Sequence, residues 1–123
     1  MSRDEASVLD MLQFATRARR HLRGVSKREF EADELLQDAA IRCLLVIGEA
    51  TNSVSAAYRN AHPEVPWAEM CGMRNRLVHD YRGTDLGIVW TVASERLPEL
   101  IRTLEPLVPS SDYDGIPDEW EFL

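Results

Sequence analysis

A short stretch near the middle of the chain concentrates side chains that can act on phosphate. Arg74, Arg76 and Arg82 surround His79 and Tyr81 within nine positions, although the whole chain carries a net charge of −7. Arginine presents a planar fork of N–H donors that suits phosphate, and histidine gains or loses a proton near neutral pH. A fixed cation and a proton carrier have the chemistry to cleave RNA, in which the ribose 2′-hydroxyl attacks the adjacent phosphorus.

The spacing of these residues sets a condition on such a site. Arg74 and His79 are five positions apart, which separates them by roughly 140° around a regular helix. We expect them to converge only where the helix ends near His79 or where Arg74 reaches around it, and Gly83 is a reasonable stop signal. One histidine cannot readily serve as both base and acid. We therefore expect a two-fold dimer that brings two copies of His79 into one cleft.

Apolar residues at helical spacing predict that helices position this stretch. Asp33 and Thr84–Asp85 are predicted helix caps, Pro66 a helix start, and Ser26 through Glu29 a capping box. Pro98 should kink the last helix. The predicted helices cover residues 4–22, a short turn after 26, residues 34 to about 59, a motif helix from 66, and residues 85–104.

Two neighbouring residues of the longest predicted helix carry separate expectations. Gly48 weakens a helix, so we expect another helix to cross closely there. Glu49 either orients Arg74 or Arg76, or is simply an exposed acid.

The pattern Arg74-x-x-x-x-His79-x-Tyr81 resembles the signature of HEPN-domain proteins of the HepT toxin family. The resemblance runs from about the first helix to Leu107, and its other matching segments are Ile47–Ala50, Pro66–Trp67, Val89–Trp90 and Leu97–Pro98. It implies an all-α, HEPN-type up-and-down bundle of four to five helices that acts as a homodimer.

The same resemblance implies a function and its control. The chain would be a metal-independent endoribonuclease toxin of a type II/VII-like toxin–antitoxin pair, with Arg74 and His79 catalytic and RNA as substrate. Its partner would be an MntA-like nucleotidyltransferase antitoxin that attaches AMP to Tyr81. Asn75 and Asp80, within the motif, would orient His79 or contact RNA.

Composition limits the remaining possibilities. We expect one helical domain over residues 1–109 and an acidic tail over 110–123, which holds five of the 21 acidic residues. Without the tail the body has 14 basic and 16 acidic residues, a net charge of −2, so an RNA site must be local. No metal-ligand spacing is present, so no cofactor is expected. No apolar run could cross a membrane, and the cytoplasm is the expected location.

Two other readings of the motif stay open. In one, the chain is a catalytically silent HEPN module that engages a nucleotidyltransferase. In the other, Arg74, Arg76 and His79 are structural and form salt bridges to Asp80, Glu49 and Asp85. The two side chains Arg74 and His79 together favour catalysis, because a silent module has no need for both.

Overall fold

The helices are separated by short connections, and most begin at a side-chain cap. The computed structural model of the chain describes residues 2–80 and 83–109, and within these residues it contains helices and no strand. The elements are α1 Arg3–His21, α2 Lys27–Glu31, α3 Glu34–Asn52, α4 Ala56–Ala61, α5 Trp67–His79, α6 Leu86–Thr91, a π-helical turn Val92–Arg96, α7 Leu97–Leu104 and a 3₁₀ turn Glu105–Leu107. The expected all-α class is confirmed.

Local capping signals explain where these helices start. The Ser26 hydroxyl accepts from the Glu29 N–H while the Glu29 carboxylate accepts from the Ser26 N–H, so the predicted capping box is formed. Asp33 and Asp85 cap α3 and α6 with their carboxylates, as expected. Gly24 follows α1 at φ +72°, a left-handed conformation that favours glycine.

The longest predicted helix was expected to reach about Arg59, but the structure interrupts it before that residue. α3 ends at Asn52, and Ser55 caps a separate helix α4 by accepting from the Tyr58 N–H. The Asp4 carboxylate accepts from both the N–H and the hydroxyl of Ser55, at 2.8 and 2.7 Å. Because the Ser55 N–H donates to Asp4 on α1, it is not available to extend the backbone hydrogen bonds of α3, and α3 and α4 stay separate helices.

The main helices form an up-and-down bundle. α3 packs against α1 on one side and against α5 on the other, and α7 closes the bundle against α1. Contacts of Asp4 with Ser55 and of Phe14 with Arg42 show that α1 and α3 are antiparallel. The largest fully buried side chains include Met11, Leu12, Phe30, Leu44, Ile47, Met70, Leu97 and Leu100. The expected bundle is confirmed.

A π-helical turn lies where Pro98 was expected to kink the last helix. The Leu97 N–H donates to the Val92 carbonyl, one residue further back than in an α-helix. Since Pro98 has no N–H, the Ala93 carbonyl loses its partner from the following turn. The Arg19 Nη1 donates to that carbonyl at 3.1 Å, so α1 satisfies the group that the proline leaves open.

Two further expectations concern the limits of the domain. No helix within residues 2–80 and 83–109 has the length and apolarity needed to span a bilayer. The acidic tail over residues 110–123 lies outside the described residues, so the predicted boundary at 109 stays a prediction.

Candidate functional site

Helix α5 carries the motif and is anchored by one apolar face. Trp67, Met70, Met73 and Leu77 are buried, and the Trp67 Nε1 donates to the His62 carbonyl at 2.9 Å. The intervening motif residues are consequently directed away from the core. The helix is regular as far as His79, four residues before Gly83, so Gly83 is not what stops it.

Of the motif residues that the structure describes, Arg74 has the most tightly held side chain. Its Nε donates to the Glu49 Oε1 on α3 at 2.5 Å, and its Nη1 donates to the Asn75 Oδ1 at 3.0 Å. The Arg74 side chain is 29% exposed, so these contacts orient the guanidinium without burying it. Of the alternatives left open for Glu49, the structure shows a contact with Arg74, made by a carboxylate that is itself exposed.

Gly48 makes this arrangement possible by letting α3 and α5 approach closely. A Cβ atom built on Gly48 would lie 2.1 Å from the Arg74 Cβ, 2.7 Å from its Cγ and 3.3 Å from the Met70 carbonyl oxygen. The two helices therefore cross directly beneath Arg74. The close crossing that the sequence predicted at Gly48 is confirmed.

His79 is exposed and is the last residue of α5. Its position five residues after Arg74 keeps the two side chains about 140° apart around the helix, and Glu49 turns the guanidinium toward α3. Within residues 2–80 and 83–109, no hydrogen bond or ion pair joins His79 to Arg74. One copy of the chain thus presents the two groups separately. Tyr81, the expected modification point, lies outside the described residues.

The alternative in which the motif residues serve only to stabilise the fold requires salt bridges, and the described residues form part of that set. The ion pair between Arg74 and Glu49 is present. Among the residues the structure describes, Arg76 and His79 form no ion pair with Asp80 or Asp85.

Asp80 belongs to a different surface from His79. It caps the C-terminus of α5, where its N–H donates to the Arg76 carbonyl and its own carbonyl accepts from the Gly83 N–H at 2.9 Å. Asp80 and Arg76 both line a groove of about 550 Å³ between α5 and α6, whereas Arg74, Asn75 and His79 do not. The motif residues that the structure describes therefore divide between two faces of α5.

Sequence reasoning missed this α5–α6 groove. Its floor is apolar, and the side chains that form it are Leu44, Met73, Leu77, Ile88, Val89 and Val92. The helical spacing of Met73, Leu77 and Asp80 was a signal of the shared face. At one edge Glu69 accepts two hydrogen bonds from Arg96, both 2.6 Å long, and these bonds lower the pKa of the Glu69 carboxyl.

Residues capable of holding a metal are not grouped in the part of the chain that the structure describes. No cluster of three or more His, Cys, Asp or Glu side chains occurs there in a suitable arrangement. Among the described motif residues, the oriented Arg74 guanidinium can bind phosphate and the exposed His79 imidazole can transfer a proton.

Comparison with known proteins places this chain in a family. The model of the family described as "Ribonuclease HepT-like" matches residues 11–107. A protein of Thermococcus cleftensis named "Probable ribonuclease HepT" is 34% identical over 104 residues, which cover 85% of this chain and 89% of that protein. A Methanocaldococcus jannaschii protein named "Putative RNase MJ1216" is 31% identical over 111 residues, 90% of each chain. No solved structure gives a significant match. The chain belongs to the HepT-like ribonuclease family.

Proposed function

We propose that this chain is a metal-independent endoribonuclease in which Arg74 binds phosphate and His79 transfers a proton. The observation that carries the proposal is the oriented Arg74 guanidinium. Glu49 and Asn75 take two of its N–H donors, and arginine has five. The remaining donors are held in a fixed direction at a partly exposed site, which is the preorganisation that stabilises a charged transition state.

The proposed reaction is a transfer of the phosphate ester within the RNA. His79 takes the proton of the ribose 2′-hydroxyl, and the 2′-oxygen bonds to phosphorus. The bond from phosphorus to the 5′-oxygen breaks, and that oxygen receives a proton from a second imidazolium. The products are a 2′,3′-cyclic phosphate and a 5′-hydroxyl. Arg74 stabilises the negative charge that increases on the two non-bridging oxygens.

We propose that the second imidazolium comes from another copy of the chain. A single copy presents one His79 and separates it from Arg74 around α5. A two-fold dimer with its two motif helices facing each other would place both copies of His79 in one cleft. Val78, adjacent to His79, is 45% exposed, and an apolar side chain of this kind suits a protein contact. Light scattering at micromolar concentration tests this step. A monomer that is fully active would contradict it.

Paired substitutions test the catalytic assignment. Arg74→Ala and His79→Ala should each abolish cleavage of single-stranded RNA and relieve growth arrest, while far-UV circular dichroism stays unchanged. Arg102→Ala on α7 is the matched control, because Arg102 is exposed and far along the chain from the motif. An active His79→Ala protein would overturn the proposal and favour the silent module that engages a nucleotidyltransferase. Unfolding of both variants would favour the structural reading of the motif.

We further propose that the chain is a toxin whose nucleotidyltransferase antitoxin modifies Tyr81. The Tyr81 hydroxyl would attack the α-phosphorus of ATP and lose its proton, with pyrophosphate as the leaving group. Tyr81 follows His79 by two residues and Arg74 by seven, so an attached AMP would put negative charge near Arg74 and compete with substrate phosphate.

Co-expression with a cognate nucleotidyltransferase tests this control. Peptide mass spectrometry should find AMP on Tyr81, and the modified protein should no longer arrest growth. Tyr81→Phe should remain a nuclease and escape modification. If Tyr81→Phe is neutralised as fully as the unchanged chain, inhibition acts through binding alone.

A further inference from the structure

The α5–α6 groove offers a binding surface that the cleavage chemistry leaves unused. Its volume of about 550 Å³ lies within the range of small-molecule sites. Met73 and Leu77 from α5 and Val89 from α6 are buried side chains that form its floor. The groove reaches the end of α5 that carries His79, because Asp80 directly follows His79, although the two side chains lie on different surfaces.

The charge around the groove disfavours phosphate. Of the described residues that line it, Asp80, Asp85 and Glu69 are acidic and Arg76 is the one cation, and Glu69 is already paired with Arg96. The Asp85 carboxylate is occupied as the cap of α6, where it accepts from the Gly87 and Ile88 N–H groups. Among residues 2–80 and 83–109, no hydrogen bond or ion pair involves the Asp80 carboxylate or the Arg76 guanidinium. An apolar floor with one available acceptor group and one available donor group suits a flat, neutral ring.

Guanine matches these two groups better than the other bases of RNA. Its N1–H and N2–H₂ donors lie side by side, so one carboxylate can accept from both, and its O6 and N7 acceptors can face an arginine. Adenine, cytosine and uracil lack two adjacent donors on that edge. Asp80 and Arg76 are four residues apart at the end of α5, hence on one face of the helix.

We propose that the α5–α6 groove binds a guanine base of the RNA strand, next to the cleaved phosphate, with Asp80 as acceptor and Arg76 as donor. This inference rests on the proposed ribonuclease function. It assigns base preference to the groove face of α5, while Arg74 and His79 on the other faces contact the phosphate and the transferred proton.

Sequencing the ends of a cleaved random RNA pool tests the proposal. The unchanged protein should show guanine enriched at one fixed position within one or two nucleotides of the cut. Asp80→Asn should reduce that enrichment roughly tenfold, since a bidentate contact contributes about 1–3 kcal/mol of discrimination. Asp38→Asn is the matched control, because Asp38 is an exposed acid on α3 outside the groove, and it should keep the enrichment. An enrichment that is absent, or that survives in Asp80→Asn, overturns the guanine site and leaves the ribonuclease function standing.

A binding measurement separates this proposal from failure of the nuclease itself. If no RNA is cut, the proposed ribonuclease function fails. Binding to the groove can still be measured, because Met73 lines it and the NMR signal of its methyl group shifts when a ligand binds. Guanosine monophosphate should shift that signal saturably in the unchanged protein and at least about tenfold more weakly in Asp80→Asn, with uridine monophosphate as the comparison. Equal responses to the two nucleotides overturn the proposal. The proposal is also overturned if light scattering shows that Asp80→Asn converts a dimer to a monomer, because the groove would then be a contact between two copies of the chain.

Discussion

Replacing Gly48 by alanine tests whether the α3–α5 crossing positions Arg74. The added Cβ would lie 2.1 Å from the Arg74 Cβ, about 1.4 Å short of an ordinary contact between carbon atoms. Both atoms are attached directly to backbone, so no rotamer change relieves the overlap and the helices must separate. Overpacking of this kind costs about 1–3 kcal/mol, and the severe overlap places Gly48→Ala near the upper end.

The net effect also includes the helix propensity that alanine gains over glycine, about 1 kcal/mol. We therefore expect Gly48→Ala to lower the free energy of unfolding by about 2 kcal/mol. For a domain of this length that corresponds to a fall in melting temperature of roughly 6–10 °C. The separation should also displace Arg74 from Glu49, so RNA cleavage should fall even at temperatures where the variant is folded.

Urea unfolding followed by far-UV circular dichroism measures the stability, with Gly72→Ala as the matched control. Gly72 lies in α5, and a Cβ built there would meet nothing within 4 Å. Gly72→Ala should therefore stabilise the protein by about 0.5–1 kcal/mol. The two glycines should thus give shifts of opposite sign. Equal stabilisation by both substitutions would refute the close crossing and with it our account of how Arg74 is positioned.

Three further predictions concern α1 and the chemistry. Arg19→Met should cost about 1–3 kcal/mol because it leaves the Ala93 carbonyl without its donor, whereas Arg28→Met at an exposed position should be nearly neutral in the same urea assay. The hydrogen bonds from the Ser55 N–H and hydroxyl lower the pKa of Asp4 below its ordinary 3.8. Asp4 therefore stabilises the folded protein at pH values above 3.8, and this stabilisation is lost as the pH falls through the lower pKa of the folded state. Asp4→Asn should accordingly lose less stability than the unchanged chain between about pH 5 and about pH 2, measured by urea unfolding. Ribonuclease activity should persist in excess EDTA, and its loss there, with recovery on adding a divalent cation, would contradict the metal-independent reaction.

The sequence alone determined the features that depend on neighbouring residues. Capping by Ser26, Asp33 and Asp85 is local, because each side chain binds N–H groups two or three positions ahead. The periodic apolar residues likewise predicted helices and their buried faces. The spacing of Arg74, His79 and Tyr81 led to the family, and the expectation that another helix crosses closely at Gly48 is confirmed. The structure then identifies that helix as α5.

Tertiary contacts decided what the sequence left open. The break after α3 combines a local cap, Ser55 on the Tyr58 N–H, with a tertiary contact of Ser55 to Asp4, fifty-one residues away. The direction of the Arg74 guanidinium depends on Glu49, twenty-five residues away. Local propensity cannot report such pairs, because each exists only once the helices have packed. The same packing divided the motif. It turned Arg74 toward α3 and left Asp80 on the α5–α6 groove, because a helix places consecutive residues about 100° apart and its neighbours determine what each face meets.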